Sequence, residues 1–364
     1  RDQDMAIFDF APGSVRTRKK LKHLCVGFTG SLKAPDPYKD DLSLPQTPFN
    51  DWRKDDFSLW FCSSCGAWTK GTEHTLKCGS CDADLTNTPI RCITPAAYRT
   101  DFRPAEEAVG SKVGQRITLA SLGKVDEHRT DRNIEVKFAD RSEVFLVNPG
   151  ERTEDGFSGY VVQEVTDVDA RDLKWMRGAP TLRLANQAVA SDVVNEDGSR
   201  WRGDGTEISA WLASPKITNS LQIAPLKTNP RLRLADMDVG LSIQRRDADK
   251  TSVRAAAITA TEILMQRAAL ELDIAPEEFD SLAPNVVTMS DGRHVPHLQI
   301  SDALPNGSGF CRHLLSSSRI PVFKLLDSIL DDPQAWPRKT LSEKEHMGRC
   351  GSSCYRCLQK YNNR

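Results

Sequence analysis

The apolar positions of this chain fall into two rhythms, one of period two and one of period three to four. Near the start, Ile7-Phe8-Asp9-Phe10 and Leu24-Cys25-Val26-Gly27-Phe28 read as strands, the first ended by the turn Ala11-Pro12-Gly13. Pro35, Pro37, Pro45 and Pro48 then mark a linker with little helix. Residues 115–165 are dense in strand signals: Ile117 to Leu122, Ile134 to Phe138, Val144 to Val147 and Tyr160 to Val165. Short polar turns separate them, which predicts a small antiparallel sheet or barrel. Leu182 to Leu184 and Ile208 to Leu212 are further strand candidates. The rhythm changes at Ser252. From there to Leu272, Val253, Ala257, Ala260, Leu264 and Ala268 share one helical face, with Pro276 beyond the end. A strand pair follows, Val286 to Met289 and Val295 to Ile300, joined by Ser290-Asp291-Gly292-Arg293. The loop Pro305-Asn306-Gly307-Ser308-Gly309 leads to a helix from Phe310 to Leu315, and a second amphipathic helix covers Val322 to Leu330.

With 364 residues, the chain is long enough for two or three domains with cores of their own. It is 27% charged and 39% hydrophobic, an ordinary soluble composition, with no apolar run of transmembrane length and no signal peptide. A net charge of -1 means that any phosphate-binding surface must be a local basic patch. The candidates are Arg16, Arg18, Lys19 and Lys20, and further on Arg231, Arg233, Arg245 and Arg246. Runs of this kind are otherwise plain solvated faces. The seven tryptophans offer stacking surfaces in principle, although most tryptophans are core.

The ten cysteines carry the sharpest chemistry. A chain of this length needs no disulfide staples, and most of these thiols sit in clusters with metal-type spacing, which points to a reducing cytoplasm. Cys62, Cys65, Cys78 and Cys81 form two C-x2-C pairs. Each pair can grip an ion from a tight knuckle, and two knuckles complete the tetrahedron of structural zinc. Gly66 and Gly79 follow cysteines closely and suit knuckle turns. Cys92 is more simply a core cysteine, and His74 a surface residue. At the other end stand His346, Cys350, Cys354 and Cys357. The three cysteines read as ligands. The fourth ligand is His346, Cys311 brought near by folding, or a residue beyond Arg364. Two structural zinc ions are the cofactors this implies. Sites with four protein ligands keep no open position for catalysis.

Signals for an enzyme are thin. Gly110-Ser111-Lys112 lacks the flanking glycine and the Gly-Lys pair of a phosphate-cradling loop, and Val125-Asp126-Glu127-His128 is then a solvated turn. His297 and Asp302, with Gly307-Ser308-Gly309, outline an alternative phosphodiesterase or nuclease site. Gln299 stands where a phosphate-holding lysine is needed, so the nucleophile lacks its electrostatic clamp.

The C-terminal part resembles the MrfA-type zinc-binding domain of superfamily-two DEAD/DEAH-box helicases, a family also seen in the antiphage systems Druantia and DISARM. The residues that carry the likeness are Ser301-Asp302-Ala303-Leu304-Pro305-Asn306-Gly307-Ser308-Gly309-Phe310, then His346, Cys350, Cys354-Tyr355-Arg356-Cys357-Leu358 and Tyr361-Asn362. The helix Ala255 to Leu272 and the stretch Ile93 to Phe102 are also similar to segments of such helicases, and residues 4–28 to the connector after the motor. Many family members carry a further cysteine where Gly348 stands here, which turns attention to His346. The resemblance implies a cytoplasmic prokaryotic protein acting on DNA, in phage defence or repair, with zinc cysteines essential to its fold. The helicase motor is absent, and the chain begins without Met, so it is expected to be a C-terminal piece of a helicase or a subunit that joins one.

The expected fold is α+β and multi-domain, with a zinc ribbon, a β-rich middle and a C-terminal α/β domain with a zinc knuckle. The expected boundaries are 1–50 for the connector, 51–104 for the ribbon, 105–250 for the β-rich domain and 251–364 for the zinc-binding end. The expected partners are DNA and helicase motor domains, in the same chain or a partner subunit, with no membrane.

Overall fold

The computed structural model describes residues 3–18, 20–29, 52–72, 74–100, 117–122, 124–153, 156–163, 183–184, 207–229, 231, 248–288, 294–316, 321–351, 354, 357 and 358. In chain order the elements are α1 (Gln3–Asp9), β1 (Val15–Arg18), β2 (Leu21–Thr29), β3 (Arg53–Phe61), β4 (Trp68–Gly71), β5 (Ile90–Pro95), β6 (Ala97–Thr100), β7 (Ile117–Ser121) and β8 (Glu127–Asp131). Then follow β9 (Ile134–Asn148), β10 (Arg152–Thr153), β11 (Gly156–Phe157), β12 (Tyr160–Gln163), β13 (Arg183–Leu184), β14 (Glu207–Pro225) and α2 (Ala248–Leu272). The last are β15 (Phe279–Ser281), β16 (Asn285–Thr288), β17 (His294–Asp302), α3 (Phe310–Ser316), α4 (Val322–Asp331), α5 (Arg338–Ser342) and α6 (Lys344–Arg349). The chain is mixed α/β, rich in strand, and built on one large mixed sheet.

Two long strands make the spine of that sheet. β14 runs antiparallel to β9 from Leu212↔Asn148 to Pro225↔Ile134, with a bulge between Thr218 and Ser220. At its start β14 also pairs with β12 and, in parallel, with β5; at its end it pairs with β17. Strands from residues 53–95 and from 279–302 thus join one 12-stranded sheet.

The sequence reading differs from this in three places. Ile134 to Phe138 and Val144 to Val147 are one strand, because Ala139, Ser142 and Glu143 between them pair with β14 on either side of a bulge that takes up Asp140 and Arg141. The segment 115–165 is therefore part of a larger sheet, not a small sheet or barrel of its own. Ile7 to Phe10 is not a strand. Ile7 lies in α1, fully buried, and its carbonyl accepts a hydrogen bond from Asn148 Nδ2 at 2.8 Å. Long-range packing on β9 and β14 overrides the local β preference of Ile and Phe.

The apolar side of the spine is covered by helices. Val136, Phe138, Leu221, Ile223 and Ile300 meet Leu264, Met265 and Ala268 of α2. Leu314 of α3 and Leu325 of α4 close the same core. Truncating a fully buried leucine such as Leu264 removes about 2–5 kcal/mol from a core of this kind. α2 ends as its sequence suggests. Asp273 takes a left-handed φ of 56°, Ile274 N–H donates to Ala269 O at 3.0 Å, and Pro276 opens a short 3-10 turn.

Candidate metal centres

The upstream cysteines sit on two knuckles of the same construction. β3 delivers Cys62, whose N–H donates to Ala67 O while its carbonyl accepts Gly66 N–H, at 2.9 and 2.8 Å. Sixteen positions later the same pattern recurs: Cys78 N–H donates to Ala83 O at 2.9 Å and Asp82 N–H donates to Cys78 O at 3.0 Å. Each turn needs a left-handed residue four places after its first cysteine. Gly66 (φ 72°) fills that place in one and Asp82 (φ 57°) in the other. Gly79, expected to serve the second turn, is not the left-handed residue. Its N–H instead donates to Thr69 Oγ1 at 3.2 Å, tying the knuckle to β4.

These turns bring four sulfurs together. Cys62–Cys81 and Cys65–Cys78 are 3.7 Å apart, and all four Sγ atoms lie within 4.8 Å of one another. Sulfurs held tetrahedrally about 2.3 Å from a shared zinc stand about 3.8 Å apart, so the spacing fits such an ion. Burial pushes the thiol pKa of Cys65 up strongly. Cys78 is buried too, but N–H donors from Ser80 and Cys81 and the Thr69 hydroxyl outweigh that and bring it down to about 7. The apolar surroundings are small: Trp60, Ala67 and Leu85, with Ala83 at the margin. A core of that size cannot hold the segment by burial alone, which is the situation in which a bound ion contributes folding energy.

The downstream group is built from a helix end and a turn. His346 and Cys350 are one helical turn apart, with Cys350 N–H donating to His346 O at 2.9 Å to close α6. Cys357 N–H donates to Cys354 O at 2.9 Å, and Cys354 N–H points at Cys357 Sγ at 3.2 Å. Cys357 Sγ is 3.8 Å from both Cys350 Sγ and Cys354 Sγ. His346 Nε2 is 3.5 Å from Cys354 Sγ, close to the separation of about 3.6 Å expected between an imidazole nitrogen and a thiolate on one tetrahedral zinc. Burial raises the Cys357 thiol pKa, and N–H donors from Cys354 and Leu358 pull it down to a net value of about 7. His346 is the residue that the structure groups with the three cysteines; Cys311 is fully buried in the helix-covered core and outside both groups. Cys92 is likewise fully buried, in the core around Trp211. Each group could hold a metal ion, and both donor sets suit zinc.

The other candidates are placed as follows. His297 and Asp302 are an odd number of positions apart on β17, so they face opposite sides of the sheet. Asp302 is fully buried and spent on structure: its carboxylate accepts N–H bonds from Ser308, Gly309 and Cys311 at 2.8, 2.7 and 2.9 Å. The glycine loop thus wraps the protein's own carboxylate at the start of α3 and is not offered to a phosphate. Gly307 (φ 81°) also lets the loop approach Asn219, which a Cβ would meet at 2.5 Å. Arg16 forms an ion pair with Asp9 and lies 6.0 Å over the Phe10 ring, fastening β1 to the end of α1. Lys20 is exposed in the β1–β2 turn, and Arg231 is exposed. Arg18 ends β1. Lys19, Arg233, Arg245 and Arg246 lie outside the described residues. Trp52, Trp60, Trp68 and Trp211 are buried, so they are core and not stacking platforms.

One feature was not legible in the sequence. Several polar atoms on β17 are buried without a partner: His297 Nδ1, both amide atoms of Gln299, and Ser301 Oγ. Each such group costs about 1–3 kcal/mol if left unpaired.

No protein family and no curated protein matches this chain. Among solved structures, the DUF1998 helicase MrfA bound to DNA is similar over 71% of this chain, at 6% identity and a TM-score of 0.32. The match spans 24% of that helicase, about a quarter of its length.

Proposed function

We propose that this chain is the zinc-stabilised accessory or C-terminal region of an ATP-dependent DNA helicase or translocase. It would work in the cytoplasm of a bacterium, in phage defence or DNA repair, contacting DNA or a partner subunit. The observation that supports this reading is the pair of complete four-donor groups, Cys62, Cys65, Cys78, Cys81 and His346, Cys350, Cys354, Cys357. Four protein donors fill a tetrahedral zinc, so each ion would lock a small segment in shape and leave no position for substrate. In this reading residues 1–50 connect to the motor, 51–104 are the ribbon, 105–250 the β-rich body and 251–364 the zinc-binding end. Phosphate contact would fall to exposed cations such as Lys20 and Arg231, with affinity dropping as salt rises. The phosphodiesterase alternative lacks support, because its histidine and aspartate do not meet.

The test is metal analysis of the purified chain together with a DNA titration at several salt concentrations, with and without the motor region. The reading expects two zinc equivalents and a salt-sensitive DNA affinity that the motor strengthens. No zinc, or no DNA binding in any combination, would sink it.

A further inference from the structure

β17 divides the sheet. Leu298 and Ile300 face the core under α2, whereas His297, Gln299 and Ser301 face the other way. That other side is polar, and yet it is buried. His297, Gln299 and Ser301 are 4%, 1% and 0% exposed. The next strand adds Gln222 and Ser220, which stand directly opposite Gln299 and Ser301 in the ladder, at 5% and 1% exposure. Lys137 of β9 continues the row across Gln222, and His128 of β8 continues it across Lys137. His128 is exposed, so the row runs from an open rim to a closed end.

At the closed end the atoms have no partners. His297 Nδ1, Gln299 Nε2 and Oε1, and Ser301 Oγ are all buried and unbonded. Successive residues on one strand face are about 7 Å apart along the backbone, and in this arrangement the polar atoms of His297, Gln299 and Ser301 do not bond one another. A water that bridges two groups is bent near the tetrahedral angle and holds its partners about 4.5 Å apart, which side chains leaning along the strand can meet.

The chemistry of the row selects what fits. Burial, aided by Lys137, holds the His297 imidazole pKa down at about 4, so at neutral pH it offers one donor and one acceptor. Gln299 and Ser301 also offer both kinds. The charges at the rim are already matched: Glu135 takes Lys137 at 3.0 Å and His128 at 2.7 Å. Among the described residues of this row, Glu135 already holds both cations, so the row offers neither an unpaired cation to an anion nor an unpaired carboxylate to a cation. An apolar molecule would leave every orphan atom unpaired. The fitting ligand is small, uncharged, and both donor and acceptor.

We infer that His297, Gln299 and Ser301, with Gln222 beside them, form an internal binding site for a chain of ordered water along β17; Ser220 closes the row through its hydrogen bond to the Ser142 hydroxyl. The chain satisfies the orphan atoms and pins the register of β17 on β14. A slip by one residue would drive Leu298 and Ile300 into the wet seam and these polar groups into the helix-covered core.

A high-resolution crystal structure of the full, metal-loaded chain decides the matter. Ordered waters bridging Gln299 to His297 and to Ser301 are the expected result. A dry seam, a direct protein partner for Gln299, or a group other than water in that place would overturn the inference. Two variants extend the test. Gln299→Leu should displace the adjacent waters and lower the midpoint of thermal unfolding by several degrees, roughly 2–4 °C for each orphaned group. Should that variant fail to fold, Ser301→Ala provides the milder change: it should lose one water with a smaller fall. Either variant unfolding at the same or a higher temperature than the parent would count against the site.

Discussion

Gly66 and Asp82 hold equivalent places, four residues after Cys62 and Cys78, each with a left-handed backbone and an N–H bonded to that cysteine's carbonyl. Only the first of the two is a glycine. An aspartate tolerates this conformation better than most residues but still pays for its Cβ. Asp82→Gly should therefore stabilise the metal-loaded ribbon by up to about 1 kcal/mol, and Gly66→Ala should destabilise it by about 1 kcal/mol or more. Competition with a zinc chelator, read as the chelator concentration that releases half of the metal, checks both signs.

His346 is the weak point of the downstream group, as its Nδ1 is buried without a partner. A histidine ligand usually has its second nitrogen bonded, which fixes the ring. His346→Ala should reduce bound zinc by about one equivalent and leave the upstream site loaded, because the two groups share no ligand. His346→Cys should keep the metal, since a thiolate is an equally good fourth donor. Metal analysis of the two variants separates a ligand from a merely buried histidine, for which both changes would leave the zinc content intact.

The metal groups were legible because their information is local. Two residues between cysteines fix a knuckle whatever surrounds it, and His346 with Cys350 needs only one helical turn. α2 was legible for the same reason, through its apolar stripe and Pro276. The long strand β14 was not. Pro215, Lys216 and Asn219 break the alternation after Leu212, and only pairing with β9 and β17 carries the strand through to Pro225. α1 is not legible because Ile7, Phe8 and Phe10 carry no sign of what they will pack against. The wet seam was invisible for a subtler reason. His297, Gln299 and Ser301 alternate with Leu298 and Ile300 as in any half-exposed strand, and period two does not tell a buried polar side from a solvated one.

His297 gives stability a pH dependence of definite sign. Burial depresses its pKa from the ordinary 6.5 to about 4, so the folded state holds the imidazole neutral while the unfolded state protonates first. The contribution is complete above pH 6.5 and is lost as pH falls from there to about 4. The span corresponds to about 3 kcal/mol, an order-of-magnitude figure. Denaturant unfolding of the parent and of His297→Gln across this window should show a steeper acid loss in the parent. Zinc release also responds to acid, so the difference between the two proteins is the quantity to read. Parallel curves would remove His297 as its source.

Asp302 supplies the last prediction, which separates a structural from a catalytic carboxylate. It accepts three backbone N–H groups from the loop that opens α3, and its own carbonyl accepts the Thr218 hydroxyl at 3.0 Å. Asp302→Ala leaves those three donors to find water at a buried site. The expected loss is about 2–4 kcal/mol, more than an ordinary helix cap because three backbone donors lose their acceptor at a fully buried site. Asp302→Asn should recover part of it, since the amide oxygen still accepts but cannot serve three donors as well. Chemical denaturation gives the order parent, then Asn, then Ala. Equal stability across the three would mean that the loop holds its shape without the carboxylate, and the case for a reactive role at Asp302 would reopen.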